Sequence, residues 1–322
     1  RPYEEFLAIR VPAVEYLEIG MRGIRLFEAG KLDEALTQFE LAVEKQPDYL
    51  EGHVSIAVIL IEKGQWKEAV PRLEKALALD PKCWFAHANL GIIRQQEGRI
   101  AEALEHFQKA VEIMPNNLNA RLNLGRALVD QGRLEEALLH FQAATKMAPT
   151  HAASQLNLAN VYLELGKLEE AKLAYEAALQ SDSRIIEARL GLAETLAQQQ
   201  RYQESLAELN KALQLAPDDP MVKATAALFL ATCPVDNLRD GRRARQLAEE
   251  ACRVTGHIDP VCLRSLAVAC AENGDFATAS DVLEKAITLA ERFSPPLAIE
   301  LRQYRDRFSR REPIRRIDQA SQ

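Results

Sequence analysis

The chain has few aromatic residues and no long apolar run. Phe, Trp and Tyr together account for 6% of its 322 residues. No stretch of about 18 consecutive apolar residues occurs, which excludes a membrane-spanning helix. Asp and Glu outnumber Lys and Arg by 47 to 40, and the formal net charge of −7 excludes a broadly basic nucleic-acid-binding surface. We therefore predict a soluble protein, cytoplasmic or periplasmic, with the compartment left open.

Motifs of catalysis and of metal or nucleotide binding are also missing. No HExxH, glycine-rich phosphate loop, CxxC or GxSxG occurs. The histidines include two pairs, His53 with His87 and His106 with His140, whose members are 34 residues apart. Equivalent positions of a repeat explain this spacing better than metal ligation does. We predict no enzymatic activity and no cofactor or metal.

The five cysteines do not decide the redox compartment. Cys252 and Cys270 occupy positions that are normally buried between helices, where Cys acts as a small hydrophobic residue. A Cys252–Cys262 or Cys262–Cys270 contact is compatible with the spacing but not established by it.

A repeat of 34 residues runs through most of the sequence. Glycine, alanine and proline each return at fixed positions of this repeat. The positions are Gly30, Gly64, Gly98, Gly132 and Gly166; Ala35, Ala69, Ala103, Ala137 and Ala171; Ala42, Ala76, Ala110, Ala144, Ala178 and Ala212; and Pro47, Pro81, Pro115, Pro149 and Pro217. Chance does not maintain several independent registers over so many periods.

Each recurring residue has a structural role in a helix–turn–helix unit. Glycine adopts the left-handed conformation that ends the first helix, and the acidic residues after it favour the start of the second. The two alanines share one face of the second helix and allow close packing. Proline begins the next helix, where its missing N–H costs little. In the first helix, Leu90–Gly91, Leu124–Gly125 and Leu158–Ala159 predict close contacts between paired helices.

This pattern resembles the tetratricopeptide repeat (TPR) family, through its Leu–Gly/Ala, Gly, Ala, Phe/Tyr, Ala and Pro positions. The resemblance implies an all-α fold, a right-handed TPR superhelix or α-solenoid of about eight helix–turn–helix repeats with a C-terminal capping helix. The predicted segments are 1–15, an N-terminal helix or cap or a junction to a missing region; 16–293, eight repeats (16–49, 50–83, 84–117, 118–151, 152–185, 186–219, 220–259 and 260–293); 294–311, the capping helix; and 312–322, a flexible tail.

Two repeats depart from the pattern. The sixth has Gln200 where glycine is expected and Ser205 where alanine is expected, and the seventh has a long loop before its second helix. The sequence of the seventh repeat resembles the closing repeat of bacterial, planctomycete-like TPR proteins. Because the chain begins at Arg1 rather than Met, we expect an upstream leader or domain to have been removed.

In the TPR family the first helix of each repeat lines a concave groove. This family geometry implies which residues of each first helix face inward. In the first three repeats these residues are strongly apolar, and an exposed apolar patch of this extent marks a binding surface. They are Leu17, Ile24, Phe27, Val54, Val58, Ile61, Phe85 and Ile92. Two alternatives stay open, namely that residues 1–15 fold back over this surface or that it is ordinary inter-helix core.

A row of asparagines follows in repeats three to five. Asn89, Asn123 and Asn157 fall at one repeat position, with Asn160 beside the last. A side-chain amide can pair with a peptide unit of any sequence. The row resembles the asparagines of the TPR superhelix in O-linked N-acetylglucosamine transferases. Alternatively, these amides satisfy local backbone groups.

The remaining inner positions are mainly acidic, with Arg126 as the main positive group. The acidic residues are Glu51, Glu62, Asp130, Glu164, Glu187 and Glu194. Such a surface repels the acidic C-terminal tails that chaperone-binding TPR clamps hold, so an adaptor of that type is disfavoured.

We predict a non-catalytic scaffold that binds a polypeptide segment in its concave groove and mediates assembly of a multi-protein complex. The alternatives are a substrate-recruiting TPR arm of a larger, glycosyltransferase-like enzyme and a structural subunit of a membrane-associated complex. An arginine-rich C-terminus suggests an acidic partner or an anionic membrane surface, although a solvated tail is the commoner role of such a segment. Its arginines are Arg302, Arg305, Arg307, Arg310, Arg311, Arg315 and Arg316.

Overall fold

The computed structural model describes the backbone of residues 2–316 and the side chains of residues 15–316. Over this part of the chain it consists of α-helices joined by short connections, with one 3₁₀ helix, Asp236–Leu238, and no strand. The predicted all-α fold class is confirmed. The helices form two compact units that divide between Ala148 and Pro149.

The first unit contains helices α1 to α8, which pack as successive pairs. Each second helix also contacts the first helix of the next pair. The helices are α1 (Pro2–Glu28), α2 (Leu32–Lys45), α3 (Leu50–Glu62), α4 (Trp66–Leu79), α5 (Trp84–Gln96), α6 (Ile100–Ile113), α7 (Leu118–Asp130) and α8 (Leu134–Met147). Because α1 is one uninterrupted helix, the chain does not reverse between residues 15 and 17. This corrects the alternative in which residues 1–15 fold back over the inward-facing apolar residues of the first three repeats.

The second unit contains helices α9 to α17, paired in the same way. They are α9 (Ala152–Glu164), α10 (Leu168–Ser181), α11 (Ile186–Gln198), α12 (Tyr202–Leu215), α13 (Pro220–Thr232), α14 (Gly241–Val254), α15 (Pro260–Glu272), α16 (Phe276–Phe293) and α17 (Pro295–Ser309). The 3₁₀ helix lies in the long loop between α13 and α14. The last helix, α17, packs on α16.

In every repeat except the seventh, the turn between the two helices depends on a residue in the left-handed conformation. Gly166, for example, has a φ of 70°, and the following Lys167 N–H bonds to the Tyr162 carbonyl at 2.8 Å. In the sixth repeat Gln200 takes the same conformation, with a φ of 62°, and Arg201 bonds to Leu196 at 2.8 Å. The turn is therefore retained without glycine, at a cost in backbone strain.

Small residues bring the paired helices together. A Cβ atom at Gly91 would lie 2.6 Å from the Phe107 ring, and one at Gly125 would lie 2.5 Å from the Phe141 ring. The predicted close contacts at these two glycines are confirmed. In the sixth repeat Ser205 is fully buried in place of alanine, and its hydroxyl donates to the Ala193 carbonyl at 2.7 Å. A polar atom is tolerated there because it has an acceptor.

Candidate functional site

The candidate site is the face that the first helices of the repeats present in each unit. We call the surface of α1, α3, α5 and α7 the first-unit face, and that of α9, α11, α13 and α15 the second-unit face. In the first unit α5 packs beside α7, and in the second α9, α11, α13 and α15 form a row of neighbours. The repeat period brings equivalent positions of these helices next to each other within a unit.

Most apolar residues predicted for the first-unit face are partly buried. They are Phe27, Val54, Val58, Ile61, Phe85 and Ile92. All but Val58 and Ile92 pack against the buried core of the unit. For these residues the inter-helix-core alternative describes the structure, and they form the floor of the face rather than a free patch.

A smaller apolar group on α1 is exposed to solvent. Leu17, Met21 and Ile24 are 40%, 58% and 46% exposed. Their spacing of four and three residues places them on one side of the helix. We call these three residues the apolar stripe. Our sequence reasoning included Leu17 and Ile24 but missed Met21, which the helical spacing alone could have found.

The two asparagines of the first unit have partners within the chain. Asn89 donates from Nδ2 to the carbonyl of Phe85 at 2.8 Å, and Asn123 accepts at Oδ1 from Arg126 at 2.8 Å. Among the described residues, Asn89 Oδ1 and Asn123 Nδ2 have no hydrogen-bond partner. Each amide thus keeps one free group, and the alternative of local backbone bonding holds for Asn89.

In the second unit one asparagine is engaged and the other is available. Asn160 accepts from the Tyr175 hydroxyl at 2.6 Å and donates to Glu187 at 3.2 Å, so both ends of its amide are occupied. Asn157 is half-buried and has no hydrogen-bond partner in the part of the chain that the structure describes. Of the two, only Asn157 offers both a donor and an acceptor.

The last described residues return to the second-unit face. The Arg316 N–H donates to the Thr232 carbonyl at 2.9 Å, and its guanidinium pairs with Glu194 at 2.8 Å. Arg315 pairs with Glu272. Ile314 is 7% exposed and belongs to the core of the unit. Residues 312–316 therefore differ from the flexible tail that the sequence predicts, whereas 317–322 lie outside the described residues.

A cavity of about 680 Å³ lies between this C-terminal segment and the helices of the second unit. Its walls include Leu228, Arg264, Glu300 and Tyr304. Arg264 pairs with Glu300 at 3.3 Å, and the Tyr304 hydroxyl also donates to Glu300. Burial, and to a smaller extent the hydrogen bond to Glu300, raises the pKa of Tyr304, so its hydroxyl remains protonated at neutral pH.

Other arginines of the C-terminal cluster also pair with carboxylates of the same chain. Arg302 pairs with Glu291 and Arg305 with Glu284, each at 2.6 Å. These contacts reduce the positive charge available to an acidic partner or a membrane surface, and such a partner stays a prediction.

Among the described side chains, no group of three or more His, Cys, Asp and Glu residues is arranged to hold a metal ion. The described helices include none that is both long enough and apolar enough to cross a membrane.

Solved structures share the fold at low sequence identity. A tetratricopeptide repeat protein from Parabacteroides merdae has a TM-score of 0.59 at 17% identity, over 90% of this chain and 98% of that one. PilF of Pseudomonas aeruginosa has a TM-score of 0.55 at 22% identity, over 64% and 92%. YrrB, described as a TPR protein with an unusual peptide-binding site, has a TM-score of 0.51 at 23% identity, over 56% and 93%.

Four family models match the sequence, and each is described as a tetratricopeptide repeat. They cover residues 26–91, 85–150, 156–220 and 260–285. No curated protein matches the sequence. The matched segments together span more than half of the chain, so the protein carries tetratricopeptide repeats.

Proposed function

We propose that the protein is a non-catalytic interaction scaffold that binds an extended polypeptide segment on the faces of its first helices. By holding such a segment it would assemble a multi-protein complex. The observation that carries this proposal is the placement of residues 314–316 on the second-unit face. An extended stretch of this chain already makes backbone, ionic and apolar contacts there.

The first-unit face supports the same use with different chemistry. The apolar stripe on α1 offers exposed area for an apolar side chain of a partner. Asn89 and Asn123 each keep one amide group free, and a peptide backbone can bond to such groups whatever its sequence. The peptide-binding site named for YrrB is a property of that protein, and the proposal for this chain is based on its own residues.

Peptide selection tests the proposal. Random peptides displayed on phage are selected on the immobilised full chain, and calorimetry measures the affinity of a selected peptide. We expect L17S/M21S/I24S to weaken a peptide bound at the stripe by about tenfold or more, because buried apolar anchors carry most of the binding energy. We expect N89A/N123A/N157A to weaken peptides held through their backbone, irrespective of peptide sequence.

The matched control removes exposed leucines from second helices. Leu139 on α8 and Leu173 on α10 are 66% and 61% exposed, so L139S/L173S changes a similar amount of apolar surface outside the proposed site. If no peptide is retained, or if this control weakens binding as much as the stripe and asparagine variants do, the proposed function is wrong.

A further inference from the structure

The C-terminal segment makes three kinds of contact on the second-unit face. Its backbone is held through the Arg316 N–H at the Thr232 carbonyl, and its two guanidinium groups are held at Glu194 and Glu272. Ile314 buries its side chain in the core of the unit. The combination of one backbone bond, two charged positions and one apolar position is that of a bound peptide.

The position of Thr232 explains why a donor is bound there. Thr232 is the last residue of α13, and the final carbonyls of a helix have no partner within the helix. The same helix end carries a partial negative charge, which favours a cationic side chain nearby. The Arg316 N–H satisfies the carbonyl, and the Arg316 guanidinium lies on Glu194 of α11.

Glu272 provides a second charged position, already prepared by the fold. It is the last residue of α15, its side chain is 13% exposed, and it pairs with Arg239 at 2.8 Å as well as with Arg315. Arg239 comes from the loop after α13 and keeps the carboxylate in place. A carboxylate held in this way accepts one further guanidinium without rearrangement.

We propose that the second-unit face is a receptor for an extended, arginine-containing polypeptide segment, and that Ile314–Arg316 is its intramolecular occupant, which a partner of the same chemistry displaces. This inference rests on the proposed function and adds the chemistry of the partner and its competition with the chain itself. The ion pairs of the occupant are partly exposed, with Arg315 and Arg316 side chains 32% and 23% exposed, so exchange does not require unfolding of the helices.

The test compares binding of a free copy of the occupant to two full-length chains. The probe is a fluorescent peptide with the sequence of residues 311–316 and an amidated C-terminus, followed by fluorescence anisotropy. The chains are the wild type and R315Q/R316Q, in which the occupant loses its charges while Glu194 and Glu272 stay intact. We expect R315Q/R316Q to bind the probe about tenfold more tightly, because a tethered occupant competes at an effective concentration of order millimolar.

Two controls identify the chemistry of binding. A probe with glutamine at the positions of Arg315 and Arg316 and with Arg311 unchanged should show no binding to R315Q/R316Q. Adding E194Q and E272Q to that chain should abolish binding of the arginine probe. Equal affinity of the two chains, no binding by either, or equal binding of both probes would overturn the inference.

Hydrogen exchange of the wild-type chain gives a second readout that does not depend on a variant folding. A saturating amount of the arginine probe should raise deuterium uptake in residues 312–316, because these residues leave the face. Unchanged uptake under saturation contradicts displacement. If phage display yields bound peptides while both of these experiments fail, the proposed function stands and only the second-unit assignment is lost.

Discussion

The Tyr175 hydroxyl on α10 donates to Oδ1 of Asn160 on α9 at 2.6 Å. The ring of Tyr175 is 1% exposed, and burial raises its pKa, so the hydroxyl remains a donor at neutral pH. The same ring explains where the asparagine row ends. A Cβ atom at Gly191, the next position of the row, would lie 2.3 Å from it.

Replacing Tyr175 by Phe should lower the free energy of unfolding by about 1 kcal/mol, the usual cost of removing one partner of a part-buried hydrogen bond. Urea denaturation measures this change. In a double-mutant cycle, N160A should lower the free energy of unfolding less in the Tyr175→Phe background than in the wild type, because the hydroxyl is already absent there. Strictly additive effects of the two substitutions would show that the bond does not contribute to stability.

The asparagine row shows how much of the candidate site can be predicted from the sequence. The period of 34 residues correctly identifies Asn89, Asn123 and Asn157 as equivalent positions on first helices. It does not predict that Asn123 bonds to Arg126 or that Asn160 bonds to Tyr175. Those contacts depend on side-chain rotamers and on neighbouring helices, which vary among repeats that share one backbone.

The C-terminal segment was not predictable for a different reason. The repeat pattern follows from contacts between residues close in sequence, whereas Arg316 contacts Thr232 and Glu194 far along the chain. The residues after α17 have no helical periodicity, and their charged composition predicts a solvated tail. A signal was present in their composition, since Ile314 lies directly before two arginines, but only the folded second unit reveals the carboxylates that face them.

The strained turn at Gln200 gives a prediction about stability. Q200G should raise the free energy of unfolding by about 1 kcal/mol, because a left-handed conformation costs a non-glycine residue roughly 1–2 kcal/mol and glycine offsets part of this gain through its greater unfolded-state entropy. Thermal and urea denaturation of the full chain measure the change.

The reverse substitution in the preceding repeat is the matched control. Gly166 has a φ of 70°, and no atom lies within 4 Å of a Cβ built there, so G166Q tests backbone strain without a steric clash. It should destabilise the chain by about 1 kcal/mol. A stabilising G166Q, or a destabilising Q200G, contradicts the assignment of strain to this turn.

Two histidines of the first unit share one hydrogen bond. His87 and His106 approach to 2.9 Å between their Nδ1 atoms, and His87 Nε2 lies 3.2 Å from the carbonyl of Pro81. A carbonyl only accepts, so His87 carries its proton on Nε2 and accepts at Nδ1, while His106 donates from Nδ1. In this arrangement His87 is the neutral tautomer with its proton on Nε2.

This pair makes stability depend on pH. Burial first, and then the neighbouring positive groups, lower the pKa of His106 from 6.5 to about 4. Since the unfolded chain then binds a proton that the folded chain excludes, unfolding becomes easier as the pH falls from about 6.5 towards 4. Above that window the contribution is constant. Urea denaturation across this range should therefore show declining stability towards acid.

Replacing His106 by Asn should make this decline shallower, because Asn retains a donor near the Nδ1 position but does not titrate. Burial also lowers the pKa of His87 and His140, so part of the decline should remain. H257N is the control, since His257 is exposed and Asn tolerates its φ of 56°. H257N should keep the acid-side decline of the wild type. The assignment fails if H106N declines with acid as steeply as the wild type does.

The free thiols should react in the order of their burial. Cys233, Cys252, Cys262 and Cys270 are at most 1% exposed, and Cys83 is 9% exposed. Burial raises the pKa of Cys252 and Cys262 to about 12 and that of Cys270 to about 11, so their thiolate fractions near neutral pH are very small. Because the thiolate is the reactive form, we expect an aromatic disulfide reagent to modify Cys83 first in the native chain.

A C83S variant should lose the first phase of this reaction and keep the slow one. In guanidinium all five cysteines of the wild type should react, because unfolding removes the burial that raised each pKa. Fewer than five reactive thiols after unfolding would reveal a disulfide and identify an oxidising compartment. An unchanged fast phase in C83S would place the reactive thiol in the second unit and contradict the burial of its four cysteines.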